Sequence, residues 1–152
     1  MAQQVAVTEI RPARAQGYVA TEERRSRYHH QVAGVITTAF TISVSYTLYN
    51  WIAGTPHGAS DVRDPVLWGL YAFGFGLVPL VRLNKTWSWR VVLSALVGLL
   101  GLGLFYYPTL FTPEVQTPLG WVENDLYMGL LLVAAYLCVQ RLRGITIATD
   151  GK

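Results

Sequence analysis

Hydrophobic and polar positions alternate along this chain in long blocks rather than at the short period of a half-buried strand. Val32 to Ala53 carries no charge and is long enough to cross a hydrocarbon layer of about 30 Å at about 1.5 Å per helical residue. Val66 to Val81 forms a second apolar block, rich in aromatic residues and glycine, and Val91 to Tyr107 a third that is nearly all aliphatic. A fourth has a charge-free core, Leu126 to Val139, that is short for a bilayer. Its helix is therefore expected to begin near Asn124 or Asp125, with Arg141 and Arg143 reaching back to the interface. The pattern predicts spans at about 32–53, 66–81, 91–107 and 125–142.

The intervening segments hold the helix breakers. Gly54 to Pro65 reads as a loop, RLNKTWSWR from Arg82 as a short turn, and Thr109 to Asn124, with Pro113 and Pro118, as a second loop containing an interfacial turn. Helices joined by such short connections form an up-down bundle by default, so the expected fold is an all-α integral membrane protein. Residues 1–31 form an N-terminal tail in which TEERRSRYHHQ could begin an interfacial helix, Thr21 being its N-cap. Arg24, Arg25 and Arg27 would then meet lipid headgroups. The tail lacks an apolar run of the kind a secretory signal needs, and its glutamates argue against a transit peptide. Residues 144–152 form the C-terminal tail, leaving 32–143 as the membrane domain.

Composition agrees with this reading, because 52% hydrophobic against 14% charged residues is too apolar for a soluble domain of 152 residues. The net charge of +3 lies in short clusters beside apolar blocks, which speaks for membrane topology and against nucleic-acid binding. Basic residues gather in the N-terminal tail, the Arg82–Arg90 turn and the C-terminus, whereas the other two loops hold only Arg63. Both termini are therefore expected in the cytoplasm.

Within the spans, Thr37, Thr41 and Ser45 recur at helical spacing on one face, and Ser94, Gly98 and Gly101 make a small-residue stripe on another helix. Both suit packing against a partner. Gly69, Gly74 and Gly76 would allow close approach of the second helix. Trp51, Trp87, Trp89 and Trp121, with Arg141 and Arg143, are expected at the lipid interface, beside aromatic belts at Tyr46, Tyr49, Tyr106 and Tyr107. Glu123 and Asp125 are expected at the non-cytoplasmic rim, which the resemblance given below makes periplasmic, and acidic residues there suit a helix start.

The chemistry of an enzyme is missing from this pattern. The central turns of the spans hold no Asp, Glu, His, Lys or Arg, so neither catalytic groups nor a metal or cofactor site is expected. His29 and His30 are adjacent and cannot face each other across a bundle as haem ligands. His57 stands alone in a loop. The single cysteine, Cys138, excludes an intramolecular disulfide and a cysteine cage. GLLGLG from Gly98 follows no strand and lacks the spacing of a phosphate loop.

The order of features resembles the small four-helix subunit of tripartite ATP-independent periplasmic (TRAP) transporters, TAXI-like branch. SYTLYNWIAGTPHG, VPLVRLNK, the Tyr106–Tyr107 pair and TPLGWVENDLYMGLLLVAAYLCVQRLRGITI carry the resemblance, which spans Val32 to Ile147. It departs from the family at Cys138, Val139 and Gln140, where a glutamate usually precedes the basic pair. The small subunit of tricarboxylate-type transporters is a related alternative. The resemblance implies a non-catalytic scaffold in the bacterial inner membrane, bound to the large permease of a sodium-coupled transporter and helping to dock a periplasmic substrate-binding protein. An accessory structural subunit of a respiratory or other membrane enzyme complex would show the same packing stripes and the same lack of chemistry.

Overall fold

The computed structural model describes residues 6–54, 62–110 and 117–150, and the side chains of 28–54, 62–105 and 117–144. Those residues form four helices and no strand: α1 Ala6–Ala53, α2 Pro65–Arg82, α3 Thr86–Leu110 and α4 Pro118–Asp150. Each contains a segment long and apolar enough to cross a membrane: Tyr28–Ala53, Pro65–Arg82, Thr86–Phe105 and Pro118–Gly144. The chain is thus an all-helical protein with four candidate membrane spans. Among them α2 is the shortest, and its 18 residues reach about 27 Å, close to the thickness of the hydrocarbon core.

Local chemistry sets the helix ends. The Val66 amide donates to Asp64 Oδ1 at 2.8 Å with Pro65 in the first helical turn, an N-cap followed by a residue whose missing N–H costs nothing there. Trp68 Nε1 donates to the Val62 carbonyl at 2.7 Å and so fastens the incoming loop to α2. The same device starts α4: the Gly120 amide donates to Thr117 Oγ1 at 3.2 Å, and Pro118 opens the helix. This overturns the expected start near Asn124 or Asp125. The Thr-Pro pair initiates a helix where proline was read as a loop signal, so the interfacial turn is the first turn of α4. Asn84 closes α2 in the left-handed region at φ 50°, which asparagine tolerates better than most residues. With α3 beginning at Thr86, the expected nine-residue turn shrinks and takes Trp87 and Trp89 into the helix. Thr21 lies within the continuous α1 and is not an N-cap. Likewise α3 continues past Pro108 to Leu110.

Each helix packs against two neighbours in a ring, α1 with α2 and α4, and α3 with α2 and α4, while the backbones of the diagonal pairs stay apart among the described residues. Cross-helix pairs run antiparallel: Thr47 meets Tyr71, and Phe40 meets Phe75 further along α2. Tyr46 and Phe40 meet Thr117 and Tyr127 of α4 in the same sense. This is the expected up-down order.

Phe40 occupies the junction of three helices. Its ring is fully enclosed, 5.8 Å from Phe75 and 5.5 Å edge-on from Tyr127, favoured aromatic separations. It lies directly over Gly74, where any added Cβ would collide with the ring. Gly69 and Gly76 face open space, so of the three glycines proposed for close approach only Gly74 serves it. Gly103 is a second such position, filled by Met128. Ile36, Leu77, Leu96, Leu131 and Cys138 extend this core along the bundle.

Outside, the bundle is as apolar as inside. Ile52, Val97, Leu104, Phe105, Leu132 and Tyr136 are all largely exposed, an arrangement suited to lipid rather than water. Replacing Gly74 with leucine should destabilise the bundle by roughly 1–3 kcal/mol through overpacking against Phe40, whereas Gly76→Ala should leave it unchanged. Thermal unfolding of both variants in mild detergent checks the contrast.

Candidate interaction surfaces

At the end of the bundle formed by the α2–α3 turn and the last turns of the α4 span, three residues expected on the surface or in a loop make one knot in which Asn84 is half-buried and Trp89 and Arg141 are buried. Asn84 Oδ1 accepts from Trp89 Nε1 at 3.1 Å and from Arg141 Nη2 at 3.3 Å. The Arg141 guanidinium also lies 6.0 Å from the centre of the Trp89 ring, at cation–π distance. Trp89 is wholly buried and Arg141 only 8% exposed. Both were expected at the lipid interface, and both instead lie within the packed bundle. The reason is angular: at about 100° per residue, Trp87 and Trp89 are about 200° apart on α3, so one faces out and the other in. Trp87 is indeed half-exposed. Arg141 thereby joins the end of α4 to the turn between α2 and α3.

Toward the opposite end, a polar cluster sits between α1, α2 and α4. The Tyr71 hydroxyl is 2.6 Å from Thr47 Oγ1 and 3.4 Å from Ser43 Oγ, and it donates to the Ser43 carbonyl at 3.3 Å. Ser43 is also a hydrogen-bond partner of the Glu123 carboxyl group. Trp68 packs edge-on against Tyr71 with 5.7 Å between ring centres. Hydroxyls in a water-poor interior require such partners. Because α4 begins at Pro118, Glu123 falls in its second turn, half-buried and turned toward α1 rather than standing free at the rim. Asp125, two residues on, is exposed.

The two expected packing stripes lie on the outside of the bundle. Thr37, Thr41 and Ser45 are exposed on α1, the Thr37 hydroxyl being satisfied locally by donation to the Ala33 carbonyl at 2.8 Å. Ser94, Gly98 and Gly101 are exposed on α3, and neither glycine has an atom within 4 Å of the place a Cβ would take. Neither stripe is used to hold this bundle together. Trp51 and Arg143 are exposed as well, and Trp121 is half-buried. His57 lies outside the described residues, and the side chains of Arg24, Arg25, Arg27, Tyr106 and Tyr107 lie outside those described.

Sequence reasoning passed over Asn84, Ser43, Thr47 and Tyr71. A signal existed for two of them, since Ser43 and Thr47 are spaced i, i+4 on the face of α1 opposite Thr41 and Ser45. Among the described residues no group of three or more His, Cys, Asp or Glu side chains gathers as metal ligands would.

Comparison of this chain with protein-family models, with curated proteins and with solved structures finds no match.

The knot predicts an ordered series of variants. Asn84→Gly keeps the left-handed turn but removes the shared acceptor, and should cost about 1–3 kcal/mol because a buried guanidinium and an indole N–H lose a partner. Asn84→Ala should cost more, adding the strain of a positive φ. Unfolding midpoints of the two variants beside the parent give the order.

Proposed function

We propose that this chain is a non-catalytic small subunit of a secondary solute transporter, held in a bacterial inner membrane with both termini in the cytoplasm. In this reading it packs against a large permease subunit and helps that subunit receive a periplasmic substrate-binding protein. One observation carries the proposal: a bundle whose own packing is complete around Phe40 leaves two small-residue and hydroxyl stripes on its outer surface. Such stripes let a neighbouring helix approach closely in a bilayer, where association depends on van der Waals packing and hydrogen bonds. The Gly98 and Gly101 positions are open, so a partner backbone can reach α3 without any movement of this chain. The described basic residues also fit the orientation, since Arg82, Lys85, Arg90, Arg141 and Arg143 lie at one end and only Arg63 at the other.

Purifying the tagged full chain from its native membrane in mild detergent tests the partner. A large multi-span permease should accompany it, and recovery of oxidase or dehydrogenase subunits in its place would sink the proposal. Gly101→Leu should leave the helicity and thermal stability of the isolated chain unchanged while reducing recovery of the permease about ten-fold, the effect of losing about 1.4 kcal/mol of packing. For orientation, a cysteine introduced at Ser60 should react with a membrane-impermeant maleimide from the periplasmic side, and one at Lys85 should not.

A further inference from the structure

The outer side of the α3–α4 seam, at the end of the bundle that carries the Asn84 knot, gathers polar side chains that the knot does not use. Trp89 lies against Arg141 of α4, and Gly103 faces Met128. These two pairs set Arg90 level with Gln140 and within about one helical turn of Arg143. Arg90 lies about 100° further round α3 than Trp89, on the side away from the buried Leu96. On α4, Leu132, Tyr136 and Arg143 fall within about 40° of one another, past Met128 and away from the buried Leu131. Both arginines thus stand at the outer margin of one seam, and both are exposed.

The side chain chemistry then changes along that seam. Gln140 Nε2 donates to the Tyr136 hydroxyl oxygen at 2.9 Å across one turn of α4. The phenol accepts that bond and keeps its own proton to donate. Further from the knot the seam is hydrocarbon: Val97, in line with Arg90, and Leu132, in line with Tyr136, are each more than half exposed. Among the described side chains no carboxylate balances the arginines, because Asp64, Glu123 and Asp125 all lie toward the opposite end.

We propose that this outer seam binds an anionic phospholipid, its phosphate held between Arg90 and Arg143 and one acyl chain laid along Val97 and Leu132. The guanidinium groups donate to the phosphate oxygens, a pairing their planar forks suit, and the Tyr136 hydroxyl donates beside them. The order of groups selects the occupant. Two cations and a hydroxyl end where an exposed apolar track begins, which is the order of head and tail in a lipid. A partner's carboxylate or a free phosphate would satisfy the arginines and leave the track uncovered. An anionic head is preferred to a zwitterionic one because a headgroup nitrogen cation would stand near the same two arginines. The inference requires that the chain spans a membrane and is independent of the partner it binds, so the isolated full chain tests it.

The delipidated protein is offered, in mild detergent, an equimolar mixture of phosphatidylglycerol and phosphatidylcholine with identical acyl chains, and the retained lipid is read by native mass spectrometry. Phosphatidylglycerol should be retained in preference, each arginine contributing about five-fold. Arg90→Gln and Arg143→Gln should each lower the preference by about that factor while helicity and elution volume stay unchanged. Arg82→Gln removes the same charge from the same end of the bundle, but from α2 and off the seam, and should leave the preference nearly intact. An excess of inorganic phosphate should not displace the lipid. Equal retention of the two lipids by the parent chain overturns the proposal and leaves the arginines to a partner's carboxylate. A loss in Arg82→Gln as large as that in Arg143→Gln overturns it too, since the attraction would then belong to the whole basic end. Release of the lipid by inorganic phosphate would make the seam a phosphate site instead.

Discussion

The seating of Phe40 on Gly74 governs this bundle. A full aromatic ring can sit at the junction of α1, α2 and α4 only because the facing position on α2 has no side chain. Phe75 and Tyr127 then close around the ring at aromatic contact distance. In a bilayer the exclusion of water gives helices no reason to associate, so close fit of this kind carries the association. Gly103 under Met128 repeats the device between α3 and α4. The other glycines of α2, facing open space, contribute nothing to it.

Around that apolar centre the polar groups fall into two sets, one toward each end. The hydroxyls of Ser43, Thr47 and Tyr71 satisfy one another and meet Glu123. Toward the opposite end, Asn84 is a shared acceptor for an indole and a guanidinium. Each set answers the same requirement, that a polar group removed from water must find a partner in the protein. Each also joins segments distant in sequence: Ser43 lies between α2 and α4, and Asn84 draws the end of α4 onto the α2–α3 turn. The middle of the bundle is left to Phe40, Leu96 and Leu131.

What remains on the outside is largely apolar side chain interrupted by two stripes of small and hydroxylated residues and by an open furrow between α1 and α4. The stripes and the furrow differ in kind. A stripe offers close approach without charge, which suits another helix, whereas the furrow is an open, almost wholly apolar depression between α1 and α4. Ser45 belongs to the α1 stripe and also lines the furrow.

The order of the helices and the place of each apolar block were legible in the sequence, because an uninterrupted apolar block of bilayer length has few alternatives once backbone groups must bond within their own segment, but α1 and α4 begin at Ala6 and Pro118, ahead of their apolar blocks. Asp64-Pro65 and Thr117-Pro118 were both read as loop, and only the hydrogen bonds from Val66 and Gly120 identify them as helix starts. Which face of each helix turns inward was not legible. In a soluble protein hydrophobicity marks the buried face, but here the outer side of the bundle is as apolar as the core, and that signal vanishes. Thr41 and Ser45 could thus be seen as one face of α1, and Ser43 and Thr47 as the opposite one, with nothing in the sequence to choose between them. Tertiary structure decided it by placing Tyr71 opposite Thr47. It decided in the same way that Trp87 points out and Trp89 in, and that Arg141 turns inward to Asn84, since those contacts depend on the rotation of α3 and α4 about their axes.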